Sequence, residues 1–505
     1  MDIVTAQEMY EWDRVTIEET GITGDMLMES AGRAVADELK RYIRKEQRIV
    51  LLAGAGNNGG DGFVISRTLL NQGYDVELWQ VVPDEKISGD AAVHKRIFLK
   101  SGYDVHRFDS IEELTSALAK ADVVIDAMLG IGVKGSLREP LSQIVEVVNQ
   151  HRAVKIAIDL PTGVPADESE ADFTAFTADY TIVIAAPKVS VFVQKARPYY
   201  GEWSVVEIGL PIRKLPDSHK KVWTVEDVQR TLPKRKSDSH KGSHGKGLMV
   251  GGSVSMPGSV AMSAKAALRS GAGLMAIATA ERAIPSISPY IQEATFVALE
   301  HEEGFITGQP SLSGYDGIAA GMGMGRHQQA EELMLHLIQS SVPLLIDADG
   351  LYGAKRHLES LKHRETPVVL TPHPGEFAHL TGRSIPEILD HPFSLSRQFA
   401  REHGVYLVLK GPATIITAPD GEQRVDISGN SGLAKGGSGD VLSGILLALM
   451  MQSDSVLDGL SNGCVIHGMT AEQLTSHQHS TIDLLATDVV EGLTQTFRTL
   501  SVSSI

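Results

Sequence analysis

The sequence predicts two successive α/β domains, each built on a mostly parallel sheet. Short apolar runs alternate along the chain with stretches of helical spacing, the pattern of a doubly wound sheet. Several runs end in loops of glycine and acidic or amide residues, where open α/β sheets bind their ligands. Between the two series lies a stretch of mixed charge with two prolines, Leu210 to Lys220. The domains are therefore expected over residues 1–213 and 221–505, with 214–220 as the linker. The glycine motifs of the two halves differ, so the second is not a repeat of the first.

Taken in order, Leu27, Ala31, Ala34, Val35 and Leu39 fall on one helical face. Arg48–Ala53 is a strand-type run, Gly54 to Gly62 a glycine loop, and Phe63 to Leu70 a helix. Strands follow at Asp75–Val82, Asp122–Asp126, Val154–Asp159, Asp179–Ala185 and Trp203–Ile208, with helices over Gly89–Lys100 and Leu141–Asn149. Three of these strand ends carry oxygen donors: Asn57, Asn58 and Asp61; Asp126; Asp159 and Thr162. Any one of them alone reads as a loop cap, but three together point to a binding site. The glycine loop is not the dinucleotide fingerprint, because two asparagines stand where that pattern wants tight glycine spacing.

In the second half, strands are expected at Gly247–Gly252, Gly271–Ala278, Asp316–Ala320, Pro343–Asp349, Pro367–Leu370 and Tyr406–Leu409, with a hairpin about Asp420 and Gly421. The third of these runs into Gly321-Met322-Gly323-Met324-Gly325, and the turn after Leu370 presents His373 and Glu376. Pro257 to Ser270 and the C-terminus read as helical. The strongest single signal is Asn430-Ser431-Gly432-Leu433-Ala434-Lys435-Gly436-Gly437-Ser438-Gly439-Asp440, followed by an apolar run from Val441. Its glycines let the backbone come close to a ligand, and a helix starting near Gly439 aims free N–H groups at the same spot. That is an anion site, with Asp440 placed to take a proton from a hydroxyl facing a phosphate. Lys410 and His373 are candidate neighbours; the plain alternatives are a surface lysine, a turn residue and a helix cap. Pro233 to Lys246 is a basic island, read either as a solvated loop or as a flexible arm near nucleotide phosphates.

Composition narrows the function classes. At 505 residues, 42% hydrophobic and 22% charged, each half can bury a core. The formal charge of −17 argues against a nucleic-acid-binding surface. The single cysteine, Cys464, rules out an internal disulfide framework and suits a reducing compartment. No apolar run approaches the roughly 20 residues of a membrane span, and Asp2 stands where a signal peptide is basic. A cytoplasmic protein is expected, without membrane or nucleic-acid partners and assembling as a homo-oligomer.

Asn57-Asn58-Gly59-Gly60-Asp61-Gly62, with the segments Asp126 to Gly132 and Asp159 to Gly163, resembles the NAD(P)H-hydrate epimerase family over residues 1–213. That resemblance implies a Rossmann-like domain. Its hydrated nucleotide would be held by Asn57, Asn58, Gly59, Gly60, Asp61, Gly130, Ile131, Gly132, Val133, Lys134, Gly135, Ser136 and Asp159. It also implies a potassium ion on Asn58, Asp126 and Thr162, and Asp159 at the reacting ring. Thr371 to Glu376, Lys410 to Thr414 and Asn430 to Asp440 are similar to the ADP-dependent NAD(P)H-hydrate dehydratases, of ribokinase-like fold. There the family pattern implies that Lys410, Gly411, Pro412, Ala413, Thr414 and Asn430 through Gly439 bind ADP with magnesium. It places Gly323, Gly325, His373 and Asp440 at the hydrate, with Asp440 as catalytic base. The expected ligands are thus hydrated NADH or NADPH and ADP. Two other readings remain at this point: a small-molecule kinase of ribokinase-like fold beside a non-catalytic nucleotide-binding domain, and a first domain that merely binds a nucleotide or a partner.

Overall fold

The computed structural model describes residues 1–132 and 135–502. The chain divides into two compact units, one over Asp2–Ser218 and one from His219 onward. The expected linker is absorbed into them. The Trp12 indole donates to the Pro216 carbonyl at 3.1 Å, which holds that stretch to the first unit. Lys220 is a buried strand residue of the second.

The first sheet contains β1 (Arg48–Ala53), β2 (Asp75–Gln80), β3 (His106–Arg107), β4 (Val123–Ala127), β5 (Val154–Ile158), β6 (Tyr180–Ile184) and β7 (Glu202–Val206). All seven run parallel in the order β3-β2-β1-β4-β5-β6-β7. This is the doubly wound arrangement, with its switch point between β1 and β4. Successive β1 side chains point to opposite faces, and both faces are covered. Ile49, Leu51 and Ala53 pack with Phe63 and Ile65; Val50 and Leu52 pack with Leu114 and Ile144. The face expected for Leu27, Ala31, Val35 and Leu39 is buried on α2 (Gly24–Leu39).

Two local expectations change. A helix, α1 (Ala6–Thr20), precedes α2, announced by the Thr5/Glu8 capping box and burying Met9, Trp12, Val15 and Thr16. The glycine loop is shorter than it reads. Helix α3 starts at Asn57, not Phe63, and runs to Asn71. Tertiary packing overrides the poor helix propensity of glycine here. A Cβ on Gly59 would lie 2.1 Å from the Gly54 carbonyl oxygen, and one on Gly60 would lie 2.3 Å from Met28 Sδ.

The second unit carries β8 (Lys220–Val222), β9 (Lys246–Val250), β10 (Leu274–Ala280), β11 (Thr295–Leu299), a short antiparallel pair β12 (His301–Glu302) and β13 (Phe305–Ile306), β14 (Gly317–Ala320), β15 (Leu344–Ile346), β16 (Val368–Leu370), β17 (Tyr406–Leu409), β18 (Thr414–Thr417) and β19 (Gln423–Asp426). Its main sheet has the order β11-β10-β9-β14-β15-β16-β17-β18-β19-β8. The strands are parallel except around the β18 hairpin. The C-terminal ends of β9, β14, β15, β16 and β17 therefore lie on one edge, together with the start of the helix Ser438–Gln452.

The basic island falls at the other edge. It precedes β9, and its Arg235 donates to the Gly271 carbonyl at 2.6 Å, ahead of β10. Gly245 sits against Met451, near the far end of the helix Ser438–Gln452. Fifteen helical residues at 1.5 Å each put it about 20 Å from the Gly439–Asp440 end. The arm-over-phosphate reading is corrected accordingly, since the island precedes a strand whose other end faces the site. Among the described residues no helix is long and apolar enough to cross a membrane.

Candidate active sites

In the first unit the ends of β1, β4 and β5 surround one cavity of about 630 Å³, a size suited to a small-molecule ligand. Asn57, Asn58, Asp61, Gly130, Ile131, Gly132, Gly135, Ser136 and Asp159 line it. Val133 and Lys134 lie outside the described residues. Gly59 and Gly60 let α3 approach the Gly54 carbonyl and α2. Because α3 begins at Asn57, the N–H groups of its first turn face the ligand side, as an anion requires.

Beneath the wall, Asp126 is fully buried. It accepts from the Thr162 N–H and hydroxyl, each at 2.7 Å, and from the Met128 N–H at 3.1 Å. Burial nonetheless pushes its carboxyl up to about 6. Leu129 joins two of the three expected potassium ligands: its N–H donates to Thr162 Oγ1 at 2.9 Å, and its carbonyl accepts from Asn58 Nδ2 at 2.9 Å. Asn58 Oδ1 is buried without a hydrogen-bond partner. An orphaned amide oxygen beside a buried carboxylate and a hydroxyl fits a hard cation. Among the described residues there is no His, Cys, Asp and Glu cluster of the kind a transition metal takes.

Asp159 adopts a left-handed φ of 68°, which costs a non-glycine residue energy. The turn aims its carboxylate at the Ile184 N–H, 3.1 Å away, and at the ammonium of Lys188. Lys188 is 1% exposed and also donates to the Ile184 carbonyl at 3.1 Å. No sequence motif marks Lys188, which reaches Asp159 across β6. Asp13, from α1, also lines the cavity. On the sequence it looks like one more charge on a solvated helix face.

In the second unit, Lys410 follows β17 and is no surface lysine. Its ammonium donates to Asp347 Oδ1 at 2.8 Å and lies 3.9 Å from Glu376 Oε2. Ser443 donates to Asp347 Oδ2 at 2.6 Å. Burial by itself would raise Asp347, but the Lys410 charge and the hydrogen bonds from Lys410 and Ser443 hold its carboxyl below the usual range. Burial would likewise lower Lys410, and the carboxylates of Asp347 and Glu376 outweigh it. Gly439 adjoins this pair, with a Cβ there 3.4 Å from Lys410 Nζ. Asp347 is the residue that motif reading passed over, although the strand end Ile346-Asp347-Ala348-Asp349 displays it.

Asp440 is the third residue of the helix Ser438–Gln452. Burial pushes its carboxyl up to about 6, helped by the Asp347 charge and opposed by a hydrogen bond from Ser259. Ser259 also touches Gly323, whose φ of 64° and close approach to Met256 leave no space for a side chain. Gly323 and Asp440 thus share one neighbour. Gly325 donates its N–H to Asp349 at 3.0 Å. His373 caps the helix Pro374–Thr381, with Nδ1 accepting from the Gly375 N–H at 3.0 Å and Glu376 accepting the His373 N–H at 2.8 Å. Its ring is more than half exposed, and its Nε2 lies 3.6 Å from Glu376 Oε1.

Gly411, Pro412 and Ala413 form the exposed turn into Thr414, whose hydroxyl donates to the Gly411 carbonyl at 3.2 Å. Asn430 opens a short helical turn over Ser431–Leu433, accepting the Gly432 N–H at 2.9 Å. After Ala434, Lys435 donates to the Ile482 carbonyl. Gly436 leads to Gly437, whose φ of 91° and contact with Met262 admit only glycine before Ser438 starts the helix.

Comparison with known proteins follows this division. A family model described as NAD(P)H-hydrate dehydratase matches residues 248–495. One described as YjeF-related protein N-terminus matches residues 24–190. The bifunctional NAD(P)H-hydrate repair enzyme Nnr of Moorella thermoacetica is 31% identical, over 99% of this chain and 97% of its own. The Escherichia coli protein of the same description is 32% identical, over 97% and 92%. The crystal structure of ADP/ATP-dependent NAD(P)H-hydrate dehydratase from Bacillus subtilis, co-crystallised with ATP and Mg²⁺, is 33% identical. It aligns with 55% of this chain and 98% of its own, with a TM-score of 0.51. The second unit accordingly shares the α/β fold of that dehydratase.

Proposed function

From the premise that this chain belongs to the bifunctional NAD(P)H-hydrate repair enzymes, we propose how its two units divide the repair of hydrated NADH and NADPH. The first unit interconverts the R and S hydrates. The second dehydrates the S form with ADP, giving AMP, phosphate and the reduced nucleotide. The observation that carries this reading is the cluster at the start of the helix Ser438–Gln452: an acid raised to about 6 beside a helix N-terminus and a half-buried lysine paired with buried Asp347.

Hydroxide is a poor leaving group, and phosphoryl transfer to the hydrate hydroxyl makes a better one. Asp440 takes the hydroxyl proton as the oxygen attacks the terminal phosphorus of ADP, releasing AMP. The Gly439 and Asp440 N–H groups and the Lys410 ammonium face the charge that builds on the phosphoryl oxygens. Loss of phosphate, pushed by the ring nitrogen, and of the neighbouring ring proton restores the dihydropyridine. Lys410 to Thr414 and Asn430 to Gly439 hold the nucleotide, while Gly323, Gly325 and His373 contact the hydrate. Magnesium bound with ADP would neutralise phosphate charge.

In the first unit, loss and return of hydroxide at the hydroxylated carbon inverts it, because that carbon also bears the ring nitrogen. Asp159, held by Lys188, faces the resulting cation. Asn58, Asp126 and Thr162 would hold a potassium ion, which would supply fixed positive charge to the site.

The deciding experiment incubates the protein with mixed hydrate epimers, with and without ADP and magnesium, and follows both epimers. Without ADP the two are expected only to interconvert; with it both should disappear as reduced nucleotide and phosphate form. Hydrate that survives with ADP and magnesium, or that accumulates as a stable phosphorylated product, overturns the reading.

A further inference from the structure

The cleft of the first unit contains more carboxyl groups than its motifs announce. Asp13, Asp61 and Asp159 line one cavity with the ammonium of Lys188, and that ammonium is already engaged by Asp159 and the Ile184 carbonyl. The other charged groups on the described wall, Lys86, Asp90, Arg138 and Glu139, complete the set. Among the described residues the Asp13 carboxylate makes no hydrogen bond.

Its position is nevertheless well defined. Helix α1 is closed at its start by the capping box and anchored by the buried Trp12 on the preceding position. Burial pushes Asp13 up to about 6, opposed by Lys188 and reinforced by Asp159. Burial drives Asp61 well above the usual carboxylate range, with Asp159 and Asp13 adding to it. Carboxyls so arranged do not all ionise near neutrality, so the cluster keeps a proton.

We propose that Asp13 is a second catalytic acid–base residue of the epimerisation, working with Asp159; this rests on the epimerase reading. Inversion needs one group to protonate the departing hydroxyl and one to deprotonate the returning water. Asp13 gives its proton to the hydroxyl as the C–O bond breaks. The ring-nitrogen lone pair forms the C=N bond, and water leaves. Water then adds to the other face, the C=N electrons return to nitrogen, and Asp159 takes the proton shed. Asp159 suits that part because the Lys188 ammonium and the Ile184 N–H bind it as an anion. Exchange with solvent restores both groups, and the reverse conversion uses them in exchanged roles.

The test is Asp13→Asn in the full chain, following R/S interconversion above the spontaneous rate from pH 5 to 8. The expected loss is about 10²-fold. The parent rate should fall as pH rises past about 6, and the variant should lack that limb. Asp13→Glu should recover part of the rate. ADP-dependent loss of the S hydrate serves as the folding control and should be unchanged. A variant at the parent rate overturns the proposal. So does a slowed variant that keeps the same pH limb and is not helped by glutamate, since that marks a structural role. A parent chain that does not accelerate interconversion at all overturns the epimerase reading and the proposal with it.

Discussion

Replacing Asp347 with asparagine tests the buried pair that organises the second site. Asp347 is 2% exposed and accepts from Lys410 at 2.8 Å and from Ser443 at 2.6 Å. Asparagine conserves the volume and can still accept from Ser443. It leaves the Lys410 ammonium without its close carboxylate partner, with Glu376 no nearer than 3.9 Å. Removing one partner of a buried ion pair costs about 3–5 kcal/mol, and the retained Ser443 contact favours the lower figure, about 3 kcal/mol. At about 2–4 °C per kcal/mol for a unit of this size, the melting temperature should fall by roughly 6–12 °C. Lys410 also loses the group that orients it toward the phosphates. ADP affinity should then drop about tenfold, or about 1.4 kcal/mol. Thermal melting and calorimetric titration with ADP and magnesium read both effects, and R/S interconversion by the first unit is the internal control. A melting point within about 2 °C of the parent, together with unchanged ADP binding, refutes the assignment of Asp347 as the residue that holds Lys410.

The other two predictions concern single carboxyl groups. Asp440→Asn should bind ADP normally yet lose about 10²-fold or more in hydrate turnover. Since the base must be ionised and its carboxyl is raised to about 6, the parent dehydration rate should fall as pH drops through 6; a flat profile from pH 5 to 8 would remove Asp440 from the proton transfer. Asp126 sets a stability test. Its folded carboxyl is raised from 3.8 to about 6, so its contribution is fully present below about 4 and is lost as pH rises through 6, up to about 3 kcal/mol. A potassium ion on Asn58, Asp126 and Thr162 would offset that loss, so potassium should raise the melting temperature of the first unit more at pH 8 than at pH 5. An Asn58→Ala variant that responds to potassium like the parent would count against the site.

Much of this fold is local. The apolar runs of β1, β4 and β5 are buried on both faces, and a doubly covered parallel strand needs little more than an unbroken run of Val, Ile and Leu to be recognised. The Gly436–Asp440 turn into its helix is equally local, because Gly437 must take a positive φ and the apolar run after Asp440 must be helical to be buried. Helix boundaries were less legible. Asn57 to Gly62 reads as loop by propensity and folds as helix because its glycines pack against Gly54 and Met28. Helix α1 carried its signal, the Thr5/Glu8 box, but its polar face concealed Asp13.

The residues that the sequence singled out by itself as candidates are the Asn57–Asp61 and Asn430–Asp440 strings, and Asp126, Asp159 and Lys410 at strand ends. Only the tertiary structure decided what those groups meet. Lys188 comes to Asp159 from 29 residues away, and Asp347 comes to Lys410 from 63. The physical reason is that parallel strands joined by crossovers bring together residues far apart in the chain, and burial then makes their charges depend on one another. His373 shows the same limit: the sequence offers a histidine held between prolines, and the fold makes its Nδ1 a helix cap and sets its Nε2 3.6 Å from Glu376 Oε1.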